Sequence, residues 1–269
     1  MAAPAKGIIA AMETWRTSIV DAGERHIRIR GYDIADLMRG AGFVETVFLL
    51  HRGRRPTVEE KGLLDALLVA SADHGSGAPS CATARLAASG NRQSISAAVA
   101  AGVLAIGDEH GGAGETLMKL IAAAIAGGAT DRESLARAAS AAVAAAREAG
   151  TRVPGLGHRS HTIDPRVAVL FDLAAKAGIA GAGIDFVNGL EAAARAAGKA
   201  LPINIDGALA AILHDMGFPP PAGKFIFIIG RVAGLTAEVA EEYVREKAMR
   251  IRIPVQYDGE GPRPLDAKD

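Results

Sequence analysis

Three histidines and an aspartate stand where glycines interrupt apolar, alanine-rich sequence, and both residue types can exchange protons near neutral pH. His74 lies in Ala72-Asp73-His74-Gly75, His110 in Asp108-Glu109-His110-Gly111-Gly112, His158 in Pro154-Gly155-Leu156-Gly157-His158-Arg159, and Asp206 in Ile205-Asp206-Gly207. A polar residue beside glycines, between helices, can project into a cleft while the backbone approaches a ligand. Acid–base chemistry is therefore the expectation, and metal chemistry is not. The nearest histidine pair, His158 and His161, is off the i, i+4 ligand spacing and has no thiolate nearby. Gly155-Leu156-Gly157 is no dinucleotide fingerprint, because no strand precedes it and the third glycine is missing.

Helices must hold these junctions in place. Leu, Ile and Val recur at helical spacing in residues 32–50, 58–71, 93–107, 114–126, 132–149, 165–177, 184–197 and 235–250. Starts and stops agree: Thr57 precedes Glu59 and Glu60, Thr130 precedes Asp131 and Glu133, and Gly127-Gly128, Gly150 and Gly178 follow helical runs. An all-α fold is expected, with strand-like sequence only around residues 26–30 and 250–256. His26, His51, His161 and His214 fall outside the chemical junctions or their motifs and read as surface or structural histidines.

The 269 residues are 49% hydrophobic, enough to bury a substantial core. Lys plus Arg and Asp plus Glu are equal at 30 each, so no net field attracts nucleic acid or an acidic membrane, and aromatic residues, at 4%, are too scarce for base-stacking platforms. An anionic ligand must then be held by locally placed arginines. Cys81 is the single cysteine, which excludes an internal disulfide and fits a reducing compartment. Apolar runs are too short to span a bilayer, and no secretory leader is recognisable, so a cytoplasmic protein is expected.

Taken together and in order, several segments resemble the citrate synthase family. Residues 28–34, Arg-Ile-Arg-Gly-Tyr-Asp-Ile, look like its early turn into the large domain. They are followed by Asp73-His74, His110-Gly111-Gly112, Gly155-Leu156-Gly157-His158-Arg159, Asp164-Pro165-Arg166, Asn204-Ile205-Asp206, Gly230-Arg231-Val232-Ala233-Gly234, and Arg252 with Tyr257-Asp258-Gly259. Between Thr57 and Asp73 only one helix fits where full-length members have several. This shortening makes the chain look like citryl-CoA lyase and the citrate-cleaving end of ATP citrate lyase. Gly114 stands where synthases commonly have Asn, and Gly75 where an acidic residue often follows Asp-His.

The resemblance implies a citrate synthase-like homodimer with a shortened large helical domain, residues 1–110 and 215–269, and a smaller inserted helical domain, residues 111–214. It implies Asp206 as the base at the acetyl carbon, His110 as the donor that stabilises the enol, and His158 at the carbinol or keto oxygen. His74, Arg166, Arg231 and Arg252 would bind the carboxylates, with Arg252 supplied by the partner subunit. Pro154, Gly155, Leu156, Gly157, Arg159 and Asn204 would meet the coenzyme A thioester, which is substrate; no metal or prosthetic group is implied, and neither a nucleic acid nor a membrane partner. The expected activity is cleavage of citryl-CoA to acetyl-CoA and oxaloacetate. Condensation of acetyl-CoA with an oxo acid is the enzymatic alternative, and a non-catalytic CoA- or carboxylate-binding subunit is the other.

Overall fold

The computed structural model describes residues 15–157 and 162–263. A three-stranded antiparallel ribbon opens the chain: β1 (Val20–Gly23), β2 (His26–Ile29) and β3 (Tyr32–Asp33), with Val20 opposite Ile29 and Ile29 opposite Tyr32. Arg30 and Gly31 form the two-residue turn between β2 and β3 at φ 49° and 87°. Positive φ at both positions matches the right-handed twist of the flanking strands. The Arg30 guanidinium docks the ribbon by donating to the Leu50 carbonyl, with Nη2 at 2.9 Å.

Eleven helices follow among the described residues: α1 (Ile34–Gly40), α2 (Phe43–Arg52), α3 (Val58–Ala72), α4 (Pro79–Gly90), α5 (Ile95–Leu104), α6 (Ala113–Ala126), α7 (Arg132–Glu148), α8 (Pro165–Lys176), α9 (Ala182–Ala196), α10 (Ile205–Asp215) and α11 (Ala222–Arg245). The all-α expectation holds. The expected start of α3 is a full capping box, in which Thr57 Oγ1 accepts from the Glu60 amide and Glu60 accepts from that of Thr57.

Three expectations differ from the structure. Residues 32–50 are not one helix, because Asp33 caps α1 by accepting from the Ala35 amide and Ala41–Gly42 then runs extended. Residues 250–256 form no strand; the chain is irregular there and finds no ladder partner among the described residues. Helix α11 starts at Ala222, not Leu235, and α4 and α10 were not anticipated as helices. Glycines that sequence reading treats as breakers are contact points here. A Cβ on Gly230 would meet the Leu68 carbonyl at 2.8 Å, and one on Gly223 would meet the Gly114 carbonyl carbon at 2.5 Å. Helix backbones pass each other at van der Waals distance, so tertiary contact outweighs the roughly 1 kcal/mol helical penalty of glycine.

Helix α10 runs through the centre. Ala208, Leu209, Ala210, Ala211, Ile212 and Leu213 are all 0% exposed, so this helix is held on every side. Around it pack Phe48, Leu64 and Leu67 from α2 and α3, Leu117, Met118 and Ile121 from α6, and Phe186 and Leu190 from α9. A second apolar cluster joins Cys81, Ala84 and Ala88 of α4 to Ala98 of α5 and Leu235 and Val239 of α11. Helix α11 thus belongs to both clusters. Among the described residues, no helix is long and apolar enough to cross a membrane.

Candidate functional site

His110 sits in a tight loop closed by two backbone bonds, Gly107 N to His110 O at 3.0 Å and His110 N to Gly107 O at 2.9 Å. Gly111 follows at φ 74°, and the Phe227 ring occupies the space a Cβ there would need. That ring meets the imidazole edge-on, with centroids 6.0 Å apart. His110 Nε2 lies 2.9 Å from Ser80 Oγ and accepts from the Ser80 amide at 3.3 Å. A backbone amide can only donate, so in this geometry Nε2 is the acceptor, which is the arrangement of the tautomer carrying its proton on Nδ1.

Arg231 stands behind this pair. It is 2% exposed, and its Nη1 donates to Ser80 Oγ at 3.1 Å while Nε donates to the Ser71 carbonyl at 3.0 Å. Its guanidinium lies 4.9 Å from the Phe227 ring centroid. Ser80 Oγ, taking a bond from Arg231, turns its own proton to His110. Arg231, Ser80 and His110 form a chain of donors running from a buried cation to the imidazole.

Asp206 occupies the first turn of α10, after the N-cap Asn204, whose Oδ1 accepts from the Gly207 amide at 3.1 Å. Its carboxylate accepts no hydrogen bond among the described residues. Burial pushes its pKa up to about 6; the cations of Arg166 and Arg231 pull it down, and Asp164 pushes it up. A carboxyl whose pKa of about 6 stands close to neutral pH, and which accepts no hydrogen bond among the described residues, is equipped to take or give a proton.

Asp164 is 1% exposed and ties three elements together. It accepts from Arg166 Nε at 2.9 Å and Nη2 at 2.7 Å, and from the Ile205 amide at 3.1 Å, at the head of α10. Arg166 Nη1 in turn donates to the Ala70 carbonyl of α3 at 3.0 Å. The Arg166 side chain is thus oriented by a bidentate ion pair beside Asp206.

The loop of Pro154, Gly155, Leu156 and Gly157 is strapped to the same helix head. Asn204 N donates to Gly155 O at 3.0 Å, Asn204 Nδ2 to Gly157 O at 2.7 Å, and Gly157 N to Pro202 O at 2.7 Å. Gly155 is at φ 80°, and a Cβ there would lie 2.6 Å from Leu117 and 2.8 Å from Gly207 Cα. Only glycine permits that approach.

The structure brings His110, Arg231, Asp206, Arg166 and residues 154–157 around α10 and α11. His158 and Arg159 lie outside the described residues, as does His161. His74 is exposed just past α3, and Arg252 is exposed on the segment after α11. Asn204 is occupied as cap and loop strap. Gly114 faces Gly223 at the α6–α11 crossing, so its smallness serves backbone packing. Sequence reasoning missed Ser80, Asp164 and Phe227. Asp164 had a signal in Asp164-Pro165-Arg166, but a serine after a proline carries none. Asp73, Cys81 and Glu238 also converge, within 4.8 Å, yet Cys81 contacts Asp73 at 3.6 Å with its thiol pushed up by burial, and Glu238 pairs with Arg85.

A family model for the C-terminal domain of citrate synthase matches residues 55–252. The chain belongs to the citrate synthase family. Among solved structures, citryl-CoA lyase from Hydrogenobacter thermophilus is 37% identical, with a TM-score of 0.83 over 93% of this chain and 97% of that one. An ATP citrate lyase from Methanosaeta concilii, in complex with (3S)-citryl-CoA, shares the fold at 19% identity, with a TM-score of 0.76 over 92% of this chain and 42% of that one. Among curated proteins, citrate synthase from Haloferax volcanii is 27% identical over 234 residues, covering 86% of this chain and 59% of that protein. The chain thus spans 59% of the length of that curated relative.

Proposed function

We propose that this protein is a citryl-CoA lyase that releases acetyl-CoA and oxaloacetate. The observation that carries the reading is the 37% identity to a citryl-CoA lyase across 93% of this chain and 97% of the other, which leaves neither with an unmatched domain.

Cleavage begins when the citryl hydroxyl loses its proton to His158. The carbon–carbon bond then breaks, its electron pair moves toward the thioester oxygen, and the carbinol carbon becomes the keto carbon of oxaloacetate. His110 Nδ1–H donates to the thioester oxygen and stabilises the enol. Protonated Asp206 delivers its proton to the nascent methyl carbon, and the cycle closes when the proton on His158 returns to Asp206 through solvent. Arg166, Arg231, His74 and the Arg252 of a second copy bind the carboxylates, guanidinium being matched to carboxylate geometry. Pro154, Gly155, Leu156, Gly157 and Arg159 receive coenzyme A, and Asn204 acts on it through the loop it straps. In this reading residues 111–214 form the smaller domain, which closes on residues 1–110 and 215–269 of a homodimer to exclude water from the enol.

The second reading is a condensing enzyme of the citrate synthase type, favoured by the curated relative. Substrate tests separate the two. A lyase given citryl-CoA forms acetyl-CoA and oxaloacetate, and given those products it liberates little free CoA thiol. Rapid thiol release with stoichiometric citrate would reject the lyase in favour of the synthase, and inertness to both substrate sets would favour a binding subunit.

A further inference from the structure

The chain leaves α11 through a turn that is anchored far more heavily than a surface tail requires. Glu242 is 0% exposed, and Arg250 grips it with Nε at 2.9 Å from Oε1 and Nη2 at 2.5 Å from Oε2. Arg85 of α4 reaches the same carboxylate, Nε to Oε2 at 3.0 Å, and Arg250 also pairs with Glu246 at 3.0 Å. Arg92 closes the end of α11 by donating to the carbonyls of Glu242, Tyr243 and Glu246 at 3.0, 2.6 and 3.0 Å. Met249, at φ 57°, donates its amide to Ser89 O at 2.9 Å. A non-glycine residue held in the left-handed region costs roughly 1 kcal/mol or more, and a buried carboxylate is costly unless paired, so the turn is a built feature.

Beyond Arg250 the hydrogen bonds and ion pairs of the described residues are local to the segment, such as Tyr257 Oη to the Glu260 carbonyl at 2.8 Å. Arg252 is exposed and forms no ion pair among the described residues, while Ile253, Val255 and Tyr257 are 67%, 86% and 77% exposed. A segment clamped at its base and apolar beyond it is presented to another surface. From Arg250 to Arg252 the chain spans about 7 Å, so a small rotation at the clamp displaces the Arg252 guanidinium by ångströms. Binding geometry tolerates about 0.5 Å.

We infer that Glu242, acting through Arg250, is a positioning residue that aims Arg252 into the site of a second copy of this chain and so sets that site's affinity for carboxylate substrate. The inference rests on the reading in which Arg252 serves a second copy.

Arg250→Met tests it. The variant is expected to keep its helical circular dichroism and its CoA affinity, and to lose about 10- to 100-fold in kcat/KM for citryl-CoA, the scale of an ångström misplacement. Arg250→Lys, which keeps one ion pair, should recover part of the loss. On an Arg252→Ala background Arg250→Met should cost nothing further. Mixed Arg250→Met and His110→Ala subunits should regain activity, because the arm of the second reaches the intact site of the first. Arg250→Met mixed with Arg252→Ala should not. Unchanged kcat/KM in Arg252→Ala would overturn the underlying reading. An impaired Arg252→Ala beside a wild-type Arg250→Met, or additive losses in the double variant, would overturn the positioning role alone. If Arg250→Met fails to fold, Arg250→Lys carries the same cycle, and additivity there rejects the inference.

Discussion

Ser80 and His110 meet twice, through the Ser80 amide and through its hydroxyl, and both contacts fall on the same imidazole nitrogen. The amide contact sets the tautomer. The hydroxyl, polarised by Arg231, sharpens it. In the proposed reading His110 donates to the enol through Nδ1–H, and Ser80, by engaging Nε2, keeps the proton there.

Ser80→Ala should keep the amide contact and the fold, yet lower turnover by about 10- to 100-fold with little change in CoA affinity, since one of two tautomer-setting bonds is gone. His110→Ala should lose at least as much, about 10²- to 10³-fold. Steady-state kinetics of both variants check this, and wild-type turnover in Ser80→Ala would remove the serine from the chain of donors.

The raised pKa of Asp206, about 6, gives cleavage a pH dependence. Cleavage in the proposed reading needs the acid form to protonate carbon, so kcat/KM for citryl-CoA should fall as pH rises above about 6. In stability the sign is the same as for cleavage. Folding favours the neutral carboxyl, so the contribution is present at low pH and is lost as pH rises through about 6. Asp206→Asn should therefore unfold at a higher temperature than the native protein at pH 7 while losing about two to four powers of ten in turnover. A kcat/KM for citryl-CoA that does not change from about pH 5 to 8 would argue against Asp206 as the proton carrier.

Asp164→Ala removes the partner of Arg166 and the cap on the Ile205 amide together. It leaves a largely buried guanidinium uncompensated, a loss of about 3–5 kcal/mol, read in chemical denaturation. Asp164→Asn keeps some of the hydrogen bonding and should cost less.

Gly223→Ala would drive a methyl into the Gly114 backbone at 2.5 Å. A loss of about 1–3 kcal/mol is expected, the usual scale of overpacking. Gly114→Asn, the residue common in synthases, should also destabilise, because its Cβ would meet the Gly223 carbonyl at 3.1 Å. A thermal melt at native temperature for either variant would show that the crossing can yield.

What the sequence by itself determined was the helical class, the family, and which residue types sit at the junctions. These are local or ordered properties: apolar spacing, caps such as Thr57 with Glu60, and glycines beside His110 and Asp206 survive in one dimension. The true extent of α11 did not, because Gly223, Gly230 and Gly234 look like breakers until another backbone is seen against them. Nor did the roles of Ser80 and Asp164. Ser80 lies thirty residues from His110, and Asp164 lies forty-one from Ile205. A hydroxyl or carboxylate acquires direction only when the fold buries it against one partner. The proton position on His110, the raised pKa of Asp206 and the clasp of Arg250 on Glu242 all depend on desolvation and distance across separate helices, and only the tertiary structure supplies those.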